Sequence, residues 1–587
     1  MEPSYDPDMD SILRNRLFRL SFEAQYGEFD RREHMVLVPV HTRGYHTKLK
    51  SGMVHPNRNS LAFANALLDA VELRLVPEGE REAAERSLMR VMALQDKDPA
   101  SRTYGIWSYF LEEPLSAMDA PDWNWADFCG KELEQAWLFH GSKLAGKTKD
   151  AIAETLHHAT ESIKRRDMGP HYTNIAIMGT YVTLVYGEAF GVQAMKDYGK
   201  ARLQHFLEHT RAMGSLSEYN SPNYNLLAAT DMQRLLRDVH DRDCFRMARE
   251  IHDAIWKSIS LHYDAGTGEW AGPHSRNYDP FLTRSTRTSI HMATGDAMGA
   301  MNEADLEMST DLLHVELECP KAYILRFSSS RAGSPARMIR DRYQADDPDH
   351  AAATCIAPAF SLGTFLKSDL WNQRRPLIAF WGGTTHTVSL YPQFLHDGYD
   401  FSSALCAHVQ KDGSVLGAIY FCWDQGDTHL SLDPIHDRTI LAGDLRVRFR
   451  IVARDPEDLD RLEIRREGTA WTVSFGGVHV RLTPVCVEAP EFCPEWEPAQ
   501  GADYRGMDLV FYRGPRKAVD LSSLRRFLAA FALEMTTGSP AKNPAVSSRW
   551  EGDLLSMEWP ERGLSISIPA KPGPKKDLYA ATKGCVR

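Results

Sequence analysis

The chain has 587 residues, more than one hydrophobic core usually supports, and its 43% hydrophobic and 25% charged content is that of a globular protein, so at least two domains are expected. A net charge of −11 and an isoelectric point near 6.1 argue against a nucleic-acid partner, because such proteins gather Lys and Arg to displace counterions from phosphates. An anionic substrate would therefore need a local basic pocket.

In chain order, Met1 to Asp10 is acidic and polar, with neither the basic nor the apolar region of a secretory leader. Nowhere does a run of about 18 apolar residues occur. The chain as given reads as cytoplasmic and without a membrane partner; an exported full-length form is compatible with the same sequence if a leader was removed. From Asn59 to about Leu261 apolar residues recur at spacings of three and four, as in Leu61, Leu67, Leu68 and Val71, and again in Ile175, Met178, Val182 and Val185. This predicts helices near 59–75, 79–95, 127–142, 148–165, 173–190, 192–212, 224–238 and 241–260. Short connections make consecutive helices antiparallel, so a stack of helical hairpins is expected.

Beyond about residue 315 the period changes to two, as in Leu445-Arg-Val-Arg-Phe-Arg-Ile-Val. Strand runs are expected at 376–391, 403–410, 415–424, 428–432, 438–452, 470–484, 506–512 and 564–568, enough for an antiparallel β-sandwich or layered sheet. The predicted fold is thus a helical domain over 1–314 followed by an antiparallel β domain over 315–587. The nine cysteines are scattered singly, with no C-x-x-C, and read as reduced structural thiols.

Two motifs invite chemistry that their context denies. Gly141-Ser-Lys-Leu-Ala-Gly146-Lys147-Thr148 spells a phosphate-binding loop, but such a loop follows a buried strand, whereas Lys131 to His140 reads as a helix. His205-Phe-Leu-Glu208-His209 puts two imidazoles one helical turn apart, the order of inverted zinc-protease motifs, yet no third ligand pattern follows. No metal and no cofactor are expected.

Three irregular segments at helix junctions combine polar and aromatic residues: Gly169-Pro-His171-Tyr172-Thr-Asn174, Ser217-Glu218-Tyr219-Asn220-Ser-Pro-Asn223-Tyr224-Asn225, and Gly272-Pro-His274-Ser-Arg276-Asn277-Tyr278-Asp279. Loops at one end of a helical stack can converge on one cleft. Their side chains suit β-elimination at a uronic acid, whose C5 proton becomes removable once the adjacent carboxylate is neutralised. Asn174 and Arg276 can neutralise it, Arg with a planar fork. Tyr278, two residues from Arg276, is the expected principal acid/base, since a cation lowers the cost of a phenolate. His171 and His274 are candidate partners, and Tyr219 or Tyr224 can share proton transfer or orient the sugar. Trp123 and Trp125 can stack on pyranose rings. Asn220 and Asn223 are candidate sugar contacts, Arg284 and Arg287 can extend a positive subsite, and His386 can close the cleft from the β domain.

With these residues the sequence resembles the polysaccharide lyases built from an incomplete (α/α) toroid and an antiparallel β domain. It is most similar to the glucuronan lyases of polysaccharide lyase family 38, and more distantly to alginate and heparinase-type lyases. The resemblance rests on Glu-Tyr-Asn-Ser-Pro at 218–222, Gly-Pro-His-Ser-Arg-Asn-Tyr at 272–278 and the helix-then-sheet order. It implies metal-independent cleavage of a uronate-containing poly- or oligosaccharide, with Asn174 neutralising the carboxylate and Tyr278 as catalyst. Asn174 is followed by Ile175, not by the His of some alginate lyases.

Two other functions use the same scaffold. A glycoside hydrolase would draw a carboxylate pair from Glu112, Glu113, Asp127, Glu218, Glu269 and Asp279. A non-catalytic glycan-binding protein would keep the aromatic residues without turnover. The sequence leaves the uronate, endo or exo action and homo-oligomerisation open.

Overall fold

The computed structural model describes residues 7–40, 45–299, 301–328, 335–342, 351–424 and 435–587. The strand expected at 428–432 lies outside the described residues. Helix α1 (Pro7–Tyr26) is not announced by periodicity: Leu17, Phe18 and Phe22 are buried while Ile12 and Leu20 stay exposed, which blurs the apolar stripe. The eight expected helices follow as α2 (Asn57–Glu72), α3 (Glu80–Met92), α4 (Trp125–Gln135), α5 (Gly146–Arg166), α6 (Thr173–Ala189), α7 (Gln193–Met213), α8 (Pro222–Asp238) and α9 (Arg242–His262). A further helix, α10 (Arg284–Thr294), begins at a Thr283 side-chain cap.

The helices form two layers. In the inner layer α2 touches α4, α4 touches α6, α6 touches α8 and α8 touches α10; α3, α5, α7 and α9 each back onto the inner helix before them. This is an incomplete (α/α) toroid. In the middle of the inner layer α6 is surrounded, and every residue from Thr173 to Gly187 is buried. Among the described residues, no helix is long and apolar enough to cross a membrane.

The C-terminal half is antiparallel throughout its large sheets, as expected from the period-two runs. A nine-stranded sheet carries Thr439–Ala453 between Val388–His396 and Arg505–Asp520. A seven-stranded sheet has Leu528–Thr537 between Ser414–Phe421 and Val478–Glu488. Leu390, Phe394, Val447 and Phe449 of the first interdigitate with Cys406, Ile419, Phe531 and Leu533 of the second, which makes a β-sandwich. A four-stranded sheet that includes Leu554–Trp559 and Leu564–Pro569 covers the other face of the seven-stranded sheet.

The two halves meet through backbone. The amide of His274 donates to the carbonyl of Arg375 at 3.0 Å, Arg375 returns the bond at 2.9 Å, and Asn277 donates to Gln373 at 2.6 Å. Gly363, on strand Phe360–Phe365, lies so close to Gly272 that a Cβ there would sit 1.5 Å from the Gly272 carbonyl oxygen. The third polar segment of the helical half is thereby seated on the sheet.

Candidate active site

Two of the three polar segments converge, and the first joins them at its end. Ser221 caps α8: its Oγ accepts from the Tyr224 amide at 3.4 Å and donates to the carbonyl of Arg276 at 2.6 Å, tying segment 217–225 to segment 272–278. The Glu218 amide donates to Thr173 Oγ1 at 3.3 Å, which brings the start of α6, and with it Asn174, to the same end.

At the centre stands Arg276. Its Nη1 donates to Glu218 at 2.9 Å, Nε and Nη2 donate to Gln373 Oε1 at 3.3 and 3.0 Å, and Nη2 reaches the Tyr278 hydroxyl at 3.4 Å. The guanidinium also lies 4.5 Å from the centre of the Tyr224 ring and 5.9 Å from that of Trp371. The hydroxyls of Tyr224 and Tyr278 are 3.0 Å apart. Burial opposes the charge on Arg276, but facing Tyr224 and Glu218 outweigh it and keep the guanidinium protonated. Burial pushes the Tyr224 phenol up, against the pull of Arg276. Burial likewise raises the Glu218 carboxyl, with Arg276 the main opposing influence.

Four of the five N–H donors of Arg276 are thus engaged within the protein, so it has no fork free for a substrate carboxylate. Three acceptors are left over: Asn174 Oδ1, Glu218 Oε2 and Asn225 Oδ1 are buried without a hydrogen-bond partner. Tyr172, whose hydroxyl accepts from Asn124 Nδ2 at 3.2 Å, has its pKa pushed up by burial and is close enough for Arg276, which lowers it, and Glu218, which raises it, to act on it.

Other expected site residues sit elsewhere or are fully employed. His274 is buried, its Nε2 facing the Trp270 carbonyl at 2.9 Å and its Nδ1 facing Asn277 Nδ2 at 3.0 Å; burial lowers its pKa to about 3, so it is a neutral structural ring. Tyr219 is enclosed, its hydroxyl 3.1 Å from His262 Nε2 and 3.0 Å from Asp341. Asn220 spends its side chain on the carbonyls of Ala271 and Pro273 and on the Trp270 indole. Trp125 packs among Tyr45, Tyr109 and Phe128, which leaves no face for a sugar, whereas Trp123 is half-buried with its indole on the Arg102 carbonyl. His171 is exposed and Asn223 half-buried on the first turn of α8.

Arg284 is exposed at the start of α10 and donates to the carbonyls of Ala304 and Asp305. Half-buried Arg287 acts on Glu269, which is itself bonded to Arg454. His386 is exposed beside Asp458, at 3.0 Å. Of the carboxylates a hydrolase would need, Glu112 is held by His55, Glu113 by Thr47 and the Lys48 amide, and Asp127 is buried where a Cβ on Gly179 would touch it. Glu218 is the one bonded to Arg276, and Asp279 follows Tyr278 in the chain.

The phosphate-loop pattern at 141–148 is a turn into α5 that follows a helical segment, not a strand. His209 faces Ser217 Oγ at 2.6 Å, and among the described residues neither it nor His205 belongs to a metal-ligating group. Among the described residues, two groups that can hold a metal lie outside the Arg276 cluster: Asp69, His140 and His314, and His386, Asp455 and Asp458.

No curated protein matches the chain. Among solved structures it is similar to the chondroitin AC lyase of Streptomyces coelicolor A3 in complex with chondroitin sulphate, at 11% identity over 97% of this chain and 86% of that one, with a TM-score of 0.46. It is also similar to the heparan sulfate lyase HepC of Pedobacter heparinus, at 8% identity over 90% and 82% of the two chains, with a TM-score of 0.34. The model of one protein family matches residues 17–310, half of the chain, from within α1 to the turn at Thr310. The chain belongs to that family, described as Domain of unknown function (DUF8769).

Proposed function

We propose that the Arg276 cluster is a lyase site, cleaving a uronate-containing poly- or oligosaccharide by β-elimination. The observation that carries this reading is the pair of tyrosine hydroxyls 3.0 Å apart beside a half-buried guanidinium. Tyr278 oxygen faces both Arg276 Nη2 and the Tyr224 hydroxyl, so a phenolate there has two donors. It takes the C5 proton. Tyr224, whose proton burial retains, gives it to the departing O4 as the C4–O4 bond breaks and C4=C5 forms. A proton passing back from Tyr278 to Tyr224 resets the pair.

Asn174 would present its amide to the uronate carboxylate, within the positive field of Arg276, while the unpartnered Glu218 Oε2 and Asn225 Oδ1 suit sugar hydroxyls. Arg276 acts through the tyrosines, not as a fork on substrate. The acceptors on hand do not distinguish glucuronate from its epimers, so glucuronan and alginate head the substrate panel, with hyaluronan, chondroitin and heparan chains beside them.

The test is ultraviolet absorbance of the conjugated product, with a chelator present. Rising absorbance that falls by roughly 10²–10⁴ in Tyr278→Phe and in Tyr224→Phe is the expected result. New reducing ends without absorbance would refute elimination and direct attention to Glu218.

A further inference from the structure

On the helical half but away from Arg276, three segments distant in sequence meet over a small cavity. Asp69 comes from α2, His140 from the π-helical turn Ala136–His140 that continues α4, and His314 from the stretch after the 3-10 turn Thr310–Leu312. Asp69 Oδ1 lies 3.2 Å from His140 Nε2 and 2.7 Å from His314 Nε2. All three ligand atoms lie within 4.8 Å of one another. Tetrahedral ligands about 2 Å from a zinc ion stand about 3.3 Å apart, so this spacing needs only a small opening at His314.

The ring orientations are fixed from behind. Glu72 Oε1 holds His140 Nδ1 at 3.0 Å, the carboxylate–histidine arrangement that aims the other nitrogen at a metal. The His314 ring stacks on Phe139, with centres 4.0 Å apart and planes inclined by 10°. Asp69 and His140 are 4% and 1% exposed. The cavity they line measures about 20 Å³, room for one water-sized occupant, and Asn65 Oδ1, buried without a hydrogen-bond partner, lines it too. Glu132 and Asp311, also at the wall, are already paired with Lys131 and Arg234.

We infer that Asp69, His140 and His314 form a structural binding site for a divalent cation of the zinc class, with a water completing the coordination. Two imidazoles and one carboxylate select such an ion over calcium or magnesium, which prefer all-oxygen shells. The site joins the first inner helix, the end of the second and the segment returning from α10 toward the β half. It is independent of the elimination chemistry proposed for Arg276.

The test uses the full chain, freed of any affinity tag, with zinc(II) and cobalt(II) as probes. One zinc per chain by elemental analysis after dialysis, visible cobalt bands of a nitrogen-containing tetrahedral site, and a thermal midpoint that rises with zinc and falls with chelator are the expected results. His314→Gln, at the partly exposed ligand, should abolish the cobalt bands while far-ultraviolet circular dichroism stays unchanged. Glu72→Gln should weaken zinc roughly 10–100-fold. Failure of the wild-type chain to retain zinc overturns the assignment. So does binding that survives His314→Gln and His140→Gln, or that is lost instead in His386→Ala, which would place the ion at His386, Asp455 and Asp458.

Discussion

Replacing Arg276 by Met tests the electrostatics of the cluster without reference to any substrate. Glu218, its side chain 8% exposed, would then be a buried carboxylate without its cation. It escapes by taking up a proton, and that sets the cost. From the ordinary value of 4.5 to pH 7 is 2.5 units at about 1.4 kcal/mol each, so the electrostatic loss reaches about 3.5 kcal/mol at pH 7 and under about 1 kcal/mol at pH 5. The sign follows from proton counting: the folded carboxyl is raised above the unfolded one, the folded state holds the extra proton, and stability falls as pH rises above about 4.5. Urea unfolding followed by tryptophan fluorescence at pH 5, 6 and 7 measures it. Arg276→Met with Glu218→Gln should show the packing loss alone, independent of pH. A penalty for the single variant that is equal at pH 5 and pH 7 would refute the buried-charge reasoning.

Gly363→Ala should cost at least about 1–3 kcal/mol, because the added methyl meets the Gly272 carbonyl, while Gly79→Ala, with open space around it, should leave the unfolding midpoint unchanged. Asp127 is fully buried, and burial raises its pKa to about 7 against the pull of Arg202 and Arg166. Its contribution to stability is therefore lost as pH rises from about 4 to about 7, at up to about 1.4 kcal/mol per unit, and Asp127→Asn should flatten that slope in unfolding measured at pH 5 and pH 8. Cys493 and Cys585 are exposed, so mass spectrometry after brief alkylation of the native protein should find these two modified, with buried Cys129, Cys244 and Cys406 reacting only in denaturant.

The helices were legible where one face is buried and one is wet. α9 repeats Cys244, Met247, Ile251, Ile255 and Ile259 on its buried side, and its expected bounds were close. Strands buried on both faces were not legible by alternation: Leu528–Thr537, in the middle layer, is buried for eight residues in succession and carries no period-two signal. The run 376–391 is two strands because Gly382 and Gly383 adopt φ of 98° and 93°, a turn that other residues resist. Around Arg276, residue types marked segments 217–225 and 272–278, which the fold brings together, but not the exposure of their side chains. His274, Tyr219 and Trp125 have the chemistry of a site and the surroundings of a core, and burial depends on partners outside their own segments, such as Arg375 for His274, Asp341 for Tyr219 and Tyr45 for Trp125. Gln373 and Trp371 escaped notice for that reason. Their only local sign is the polar break Trp371-Asn-Gln-Arg-Arg-Pro between strands, the same kind of loop that marked segment 272–278.

That missed loop explains why the cluster needs both halves of the chain. Arg276 lies between Glu218 of the helical half and Gln373 of the β half, and the backbone around it is held by bonds from His274 to Arg375 and from Asn277 to Gln373. Arg374 adds a bond to the Ser275 carbonyl at 3.2 Å. Without this edge the guanidinium would lose its two bonds to Gln373 and swing toward solvent, taking with it the charge beside Tyr278. A misplacement of about 1 Å in a reacting group costs on the order of 100-fold in rate, so under the proposed elimination the sheet would contribute by fixing where the cation stands, while Tyr224 and Tyr278, the proposed proton-transfer residues, belong to the helical half. Gln373→Ala separates the two contributions: it leaves both tyrosines and the fold in place, and should lower turnover while leaving the unfolding midpoint within about 1 kcal/mol of the parent. Unchanged turnover in that variant would mean that Glu218 and the tyrosine rings position Arg276 by themselves.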